Sequence, residues 1–149
     1  MQNKTGVSLI IPAFNEGKTI SSIIDRCSKQ LQVKQLVVVN DGSKDNTKEV
    51  LDSIEKKWLK KRTKLTVIHH KKNLGKGAAI KTGLKNVIYK YVMVQDADLE
   101  YSPEDIVKLF NKAEQSKDGI VFGSRSHNKK KGYILAQIGN AYLDTLFNI

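Results

Sequence analysis

Residues 91–110, YVMVQDADLEYSPEDIVKLF, decide how this chain is read. Four apolar residues, Tyr91 to Val94, run into three carboxylates at alternate positions, Asp96, Asp98 and Glu100, and a helix then opens. Ser102 is placed to cap that helix, with Pro103 at its first position and Asp105 three residues after the cap. Ile106, Val107, Leu109 and Phe110 follow at helical spacing. A short apolar strand that passes through a polar turn into an amphipathic helix is the repeating unit of an α/β domain.

The same unit recurs along the chain. Val7 to Pro12, Leu36 to Val39, Leu65 to His69 and Gly119 to Phe122 are short runs rich in Val and Ile without polar alternation, the pattern of buried parallel strands. Between them Ile20, Ile23, Ile24, Cys27 and Leu31 keep helical spacing, as do Val50, Leu51, Ile54 and Trp58. The alternation predicts a mostly parallel sheet with helices on both faces. Ligands of such sheets bind at the carboxyl ends of the strands. The segments there are PAFNE (12–16), NDGSKDNT (40–47), NLGKGAAIKTG (73–83), DADLE (96–100) and GSR (123–125), five polar clusters on one edge, which a single cleft explains.

The 149 residues fit one domain that buries roughly two-thirds of its unfolded surface. Ten glycines and two prolines, with no repeat or low-complexity tract, leave no sign of a linker. A single cysteine excludes an internal disulfide, and the absence of a charged-then-apolar leader before Val7 favours a reducing, cytoplasmic setting. No apolar run reaches the roughly 18 residues of a membrane span. The net charge of +11 is uneven: from Lys56 to Gln95 there are twelve Lys or Arg and no Asp or Glu. That stretch is either a solvated face or a surface for phosphates, anionic lipid or nucleic acid. The cations lack the interleaved aromatics of a single-strand platform, which argues against nucleic acid.

Asp96 and Asp98, two apart at a strand end, aim the same way and repel unless neutralised, and oxygen ligands suit Mg²⁺ or Mn²⁺. An acidic turn capping the next helix is the plainer reading of the same residues. Glu100 is either a further ligand, direct or through water, or a charge near the helix start. Gly75 and Lys76 in NLGKG put backbone N–H groups and a cation at a helix start, which suits phosphate, although the pattern matches neither standard glycine-rich phosphate loop. Asp41 on the cleft edge either makes a turn with Gly42 or accepts hydrogen bonds from a base or ribose. Asn15 and Glu16 raise the same question. Arg125 either stabilises negative charge or lies on the surface. His69, His70 and His127 show no metal-ligand spacing and read as strand-end and loop residues, and Cys27 reads as core.

In this order, the five clusters resemble the family-two inverting glycosyltransferases of the GT-A fold. Within them the likeness is greatest to the polyprenyl-phosphate (dolichyl-phosphate) mannosyl- and glucosyltransferases, and it runs from about Val7 to Ile149. The resemblance implies a nucleotide-diphosphate sugar donor, its nucleoside held by Pro12, Phe14, Glu16 and Asp41. Asp96, Asp98 and Glu100 then surround the metal and diphosphate. Asn40 stands where the family often has aspartate, and Glu100 where glutamine is frequent. The implied acceptor is a polyprenyl phosphate or a glycan hydroxyl, and the basic stretch fits a lipid-phosphate acceptor met by a protein that is soluble or peripheral to an anionic, cytoplasmic membrane face. The resemblance further implies that residues 1–149 form the donor-binding domain without the C-terminal acceptor part, either an enzyme or a binding module that does not turn over alone.

Overall fold

The computed structural model describes residues 5–58, 62–98 and 102–115. Within them β1 (Val7–Ala13), α1 (Ile20–Lys29), β2 (Val33–Asn40), α2 (Thr47–Lys57), β3 (Lys64–His69), α3 (Lys76–Leu84), β4 (Tyr91–Val94) and α4 (Ile106–Gln115) alternate, with one 3₁₀ turn at Pro103–Asp105. The four strands form one sheet in the order β3-β2-β1-β4, and every pairing is parallel. The expected α/β architecture is therefore present. The Gly119 to Phe122 run lies outside the described residues.

Strand alternation sorts the core into two layers. Leu9, Ile11, Ala13, Leu36 and Val38 meet Ile20, Ile23, Ile24 and Cys27 of α1, Leu51 of α2 and Ile106 of α4 on one face. Ile10, Val37 and Val39 meet Ala79 of α3 on the other. The close approach of α3 depends on Gly83, where a Cβ would lie 2.5 Å from Ile10 Cγ2. At the amino edge, the buried Ser8 hydroxyl donates to Gln35 Oε1 at 2.7 Å, and Gln35 Nε2–H donates to the Asn86 carbonyl at 2.9 Å. These bonds moor the α3–β4 connection beneath the sheet, where unpaired polar groups would be costly. Tyr91 of β4 meets Phe110 of α4 edge to face, with ring centroids 5.1 Å apart.

Four local expectations fail, the first in β3, where Leu65 to His69 are half-buried rather than buried because β3 lies at the edge of the described sheet. Leu31 follows the end of α1 and is 66% exposed, because the helix closes at Gln30 before another turn can bury it. Val92 and Val94 of β4 are exposed rather than buried. Among the described residues β4 is an edge strand, and its α3-side face projects past α3. Ser102 does precede the turn into α4, but its hydroxyl donates to the Glu104 carboxylate instead of capping the helix backbone. The turn is held by the Asp105 N–H on the Ser102 carbonyl at 3.0 Å and by the Arg26–Glu104 ion pair at 2.8 Å.

Candidate functional site

The chain runs from β1 outward through β2 and β3 and then returns to place β4 on the other side of β1. The connections therefore reverse between β1 and β4, and a crevice opens at their carboxyl ends. A cleft of about 280 Å³ lies there, lined by Pro12, Phe14, Glu16, Asp41, Lys76, Asp96 and Asp98, with Ala13, Asn73, Ala79 and Ala97 between them. Seven residues singled out from sequence thus share one cavity. Glu100 and Arg125 lie outside the described residues.

Ladder bonds carry each strand one residue into its loop. The Asp41 N–H donates to the Ala13 carbonyl at 2.8 Å, that of His70 to Asn40 at 2.9 Å, and that of Gln95 to Ile10 at 2.9 Å. Beyond those anchors the first two loops are laced together. The Asn15 N–H donates to Ser43 Oγ at 2.9 Å, and Asn15 Oδ1 accepts the Lys44 N–H at 2.8 Å, with Asn15 at φ 58°. The Glu16 N–H donates to Thr47 Oγ1 at 2.9 Å, while the Glu16 carboxylate accepts the Thr19 hydroxyl at 2.5 Å. Asn15 is therefore a loop brace, and the Glu16 carboxylate, although on the cleft, is already partnered.

Asp41 is 3% exposed and is held from three directions. Its Oδ1 accepts His70 Nδ1–H at 2.7 Å and the Leu74 N–H at 3.0 Å, and its Oδ2 accepts the Gly75 N–H at 2.8 Å. Burial pushes its pKa up, but the bonds from His70, Leu74 and Gly75 together outweigh burial and hold it below the ordinary carboxylate value. Gly75 does not line the cavity. Its N–H is spent on Asp41 and on Asn73 Oδ1, so its part is to fix the turn that starts α3. The turn made with Gly42 is equally real, because at φ 67° a Cβ there would lie 2.3 Å from the Lys72 carbonyl carbon.

Asn40 is buried and faces away from the cavity. Its Oδ1 accepts the Ser43 N–H at 3.1 Å, which orients its amide to donate to His69 Nδ1 at 3.0 Å. His69 Nε2–H then donates to Asp52 Oδ1 at 3.1 Å. An amide suits this position because one end must accept and the other donate.

The remaining charge is lopsided: four carboxylates, from Glu16, Asp41, Asp96 and Asp98, line the cleft with one lysine. Lys76 Nζ sits 2.6 Å from Asp96 Oδ1. Among the described residues no three His, Cys, Asp or Glu side chains gather closely enough to hold a metal by themselves. Asp96 and Asp98 nonetheless supply hard oxygen donors of the kind Mg²⁺ and Mn²⁺ take, and such ions usually complete their shell with substrate phosphates and water. The two residues fit a cation delivered together with a diphosphate.

A family-wide sequence profile described as "Glycosyl transferase family 2" matches residues 8–145. The chain belongs to glycosyl transferase family 2. It is 38% identical over 144 residues to an uncharacterised protein of Methanocaldococcus jannaschii, covering 94% of this chain and 60% of that one. It is 33% identical over 143 residues to a dolichyl-phosphate beta-glucosyltransferase of Trichomonas vaginalis, covering 83% of this chain and 41% of the relative. The chain thus spans less than two-thirds of the length of these curated relatives. Its fold matches a Pyrobaculum calidifontis mannosyltransferase solved with GDP-Man and Mn²⁺, with a TM-score of 0.62 at 23% identity over 72% of this chain and 32% of that chain. The fold is thus the GT-A form of a Rossmann-like sheet.

Two contributors to this family-two site escape sequence reasoning. Asn73 lines the cavity and shapes the Gly75 turn, and its signal was the polar residue two before a glycine at a helix start. His70 supports Asp41 from behind, and a search for metal-ligand spacing does not find a histidine that partners a carboxylate.

Proposed function

We propose that this family-two chain binds a nucleotide-diphosphate sugar of the UDP-glucose or GDP-mannose class and serves hexose transfer to a polyprenyl phosphate. The observation that carries the reading is the joint placement of Asp96, Asp98 and Lys76 in one cleft with Asp41, Pro12 and Phe14 at the carboxyl edge of the sheet. Phe14 and Pro12 offer apolar surface to the base, and Asp41 offers an acceptor to its N–H groups or to the ribose. Lys76 and the opening turn of α3 face the diphosphate with positive charge. Asp96 and Asp98 hold Mg²⁺ or Mn²⁺, which supplies charge neutralisation for the departing diphosphate. Glu100 and Arg125 are proposed to serve the same diphosphate.

In the transfer, an acceptor phosphate oxygen bonds to the anomeric carbon as the bond to the diphosphate breaks, and that electron pair leaves on the β-phosphate oxygen. An ionised phosphate acceptor carries no proton to remove, so no general base is required; a glycan hydroxyl would need one. The names of the curated relatives support the lipid-phosphate acceptor. The lysine-rich stretch from Lys56 to Lys90 supports a peripheral position on an anionic, cytoplasmic membrane face, each cation there contributing about 1 kcal/mol. Among the described residues no helix is long and apolar enough to cross a membrane. Salt-sensitive co-sedimentation with anionic but not neutral liposomes is expected, and equal recovery with both would refute the membrane part.

A second reading, binding without turnover of its own, rests on the cleft lining: the residues of it with an assigned role are all assigned to the donor. Labelled UDP-glucose or GDP-mannose, Mn²⁺ and a polyprenyl phosphate separate the two. Labelled glycolipid establishes transfer, whereas nucleotide binding without product selects the binding module.

A further inference from the structure

His70 and His69 are neighbours with opposite duties. Strand alternation turns the His69 ring to Asp52 of α2 and the His70 ring to Thr82 of α3. The His70 side chain is 10% exposed and that of Asp41 4%, so their 2.7 Å contact is shielded from water. A carboxylate can only accept, so His70 Nδ1 carries the proton. In the neutral ring Nε2 therefore accepts the Thr82 hydroxyl at 2.9 Å. The ring is thus clamped at both nitrogens between the cleft and the helix that bears Lys76.

The consequence lies in the lone pairs of Asp41. Each carboxylate oxygen has two. Oδ1 spends both, on His70 and on the Leu74 N–H, while Oδ2 spends one on the Gly75 N–H. One acceptor position remains on a residue that lines the cleft. We infer that His70 is a positioning residue for the donor: it fixes the Asp41 carboxylate so that the unspent Oδ2 lone pair meets an N–H or O–H of the nucleoside. The inference rests on the nucleotide-sugar reading of the cleft. It assigns His70 to nucleoside recognition and leaves diphosphate binding to Lys76, Asp96 and Asp98.

That division can be measured, because inorganic pyrophosphate carries the diphosphate charge without a nucleoside. His70→Asn places an amide N–H near the former Nδ1 and keeps the donor to Asp41, whereas His70→Gln places it near the former Nε2 and loses that donor. UDP, GDP and pyrophosphate are each titrated calorimetrically in Mn²⁺ against wild type and both variants. The nucleotide that wild type prefers should bind His70→Gln about tenfold more weakly, or ~1.4 kcal/mol. His70→Asn should stay within about threefold of wild type, and pyrophosphate should bind all three alike. Nucleotide affinity unchanged in His70→Gln overturns the inference. So does a parallel loss of pyrophosphate, which marks a general structural role. If His70→Gln does not fold, a tenfold nucleotide loss in folded His70→Asn is equally fatal. Wild type that binds neither nucleotide nor pyrophosphate refutes the reading of the cleft itself.

Discussion

Lys76 Nζ lies 2.6 Å from Asp96 Oδ1, joining the first residue of α3 to the loop after β4 across the cleft. The Lys76 side chain is 59% exposed, so the pair is a weak one, worth about 0.2–1 kcal/mol. It places a monovalent counter-ion where a divalent one is proposed to bind, and the two must compete. Lys76→Met should therefore raise the Mn²⁺ affinity of the nucleotide-free protein by up to about fivefold, and should weaken nucleotide binding in chelator. Electron paramagnetic resonance of free Mn²⁺ reads the first effect directly. An unchanged or lower Mn²⁺ affinity would show that the pair does not guard a cation site.

Two glycines should respond in opposite directions to the same substitution. At Gly42, with φ 67°, an added methyl meets backbone atoms of Lys72 and Asn73 within 2.5 Å. Gly42→Ala should cost roughly 2–4 kcal/mol and lower Tm by about 10 °C. At Gly77, inside α3, an added methyl meets nothing within 4 Å. Gly77→Ala should stabilise by about 0.5–1 kcal/mol through helix propensity. Thermal melts of both variants check the pair, and a neutral Gly42→Ala would mean that the β2 and β3 loops are not in contact.

Acid should loosen the cleft through Asp41. Its folded pKa is lowered from 3.8, so its ionised form contributes stability that is fully present above about pH 4 and is lost as pH falls through the folded value. Urea unfolding between pH 7 and pH 3 should show wild type losing more stability than Asp41→Asn, which has no such proton to take up. Equal pH dependence would mean that the bonds from His70, Leu74 and Gly75 do not favour the carboxylate.

Much of this is legible in the amino-acid sequence. β4 falls where the apolar run Tyr91 to Val94 placed it, and β1 extends its run only by Ala13. A strand buried along its whole length, as β1 is, must be largely apolar, and that pattern survives in sequence; β4 keeps an apolar run although two of its four residues are exposed. Cys27, read as core, is buried with its thiol pushed up to about 12, chiefly by burial. The cleft residues were legible because the carboxyl edge of a parallel sheet collects whatever follows each strand. Contacts between loops were not legible, since no periodicity pairs Asn15 with Ser43 or Glu16 with Thr47. The partner of His70 was hidden for the same reason: Asp41 is adjacent through β2–β3 pairing and not through sequence spacing.

The most direct test is whether the cleft takes a nucleotide sugar together with a divalent cation on Asp96 and Asp98. UDP-glucose and GDP-mannose are titrated calorimetrically into wild type and Asp98→Asn, each with Mn²⁺ and again with chelator. Wild type should bind one of the two sugars at least about tenfold more tightly with Mn²⁺ than with chelator, a difference of ~1.4 kcal/mol, and Asp98→Asn should lose that dependence. Equal affinity in all four conditions would contradict the account.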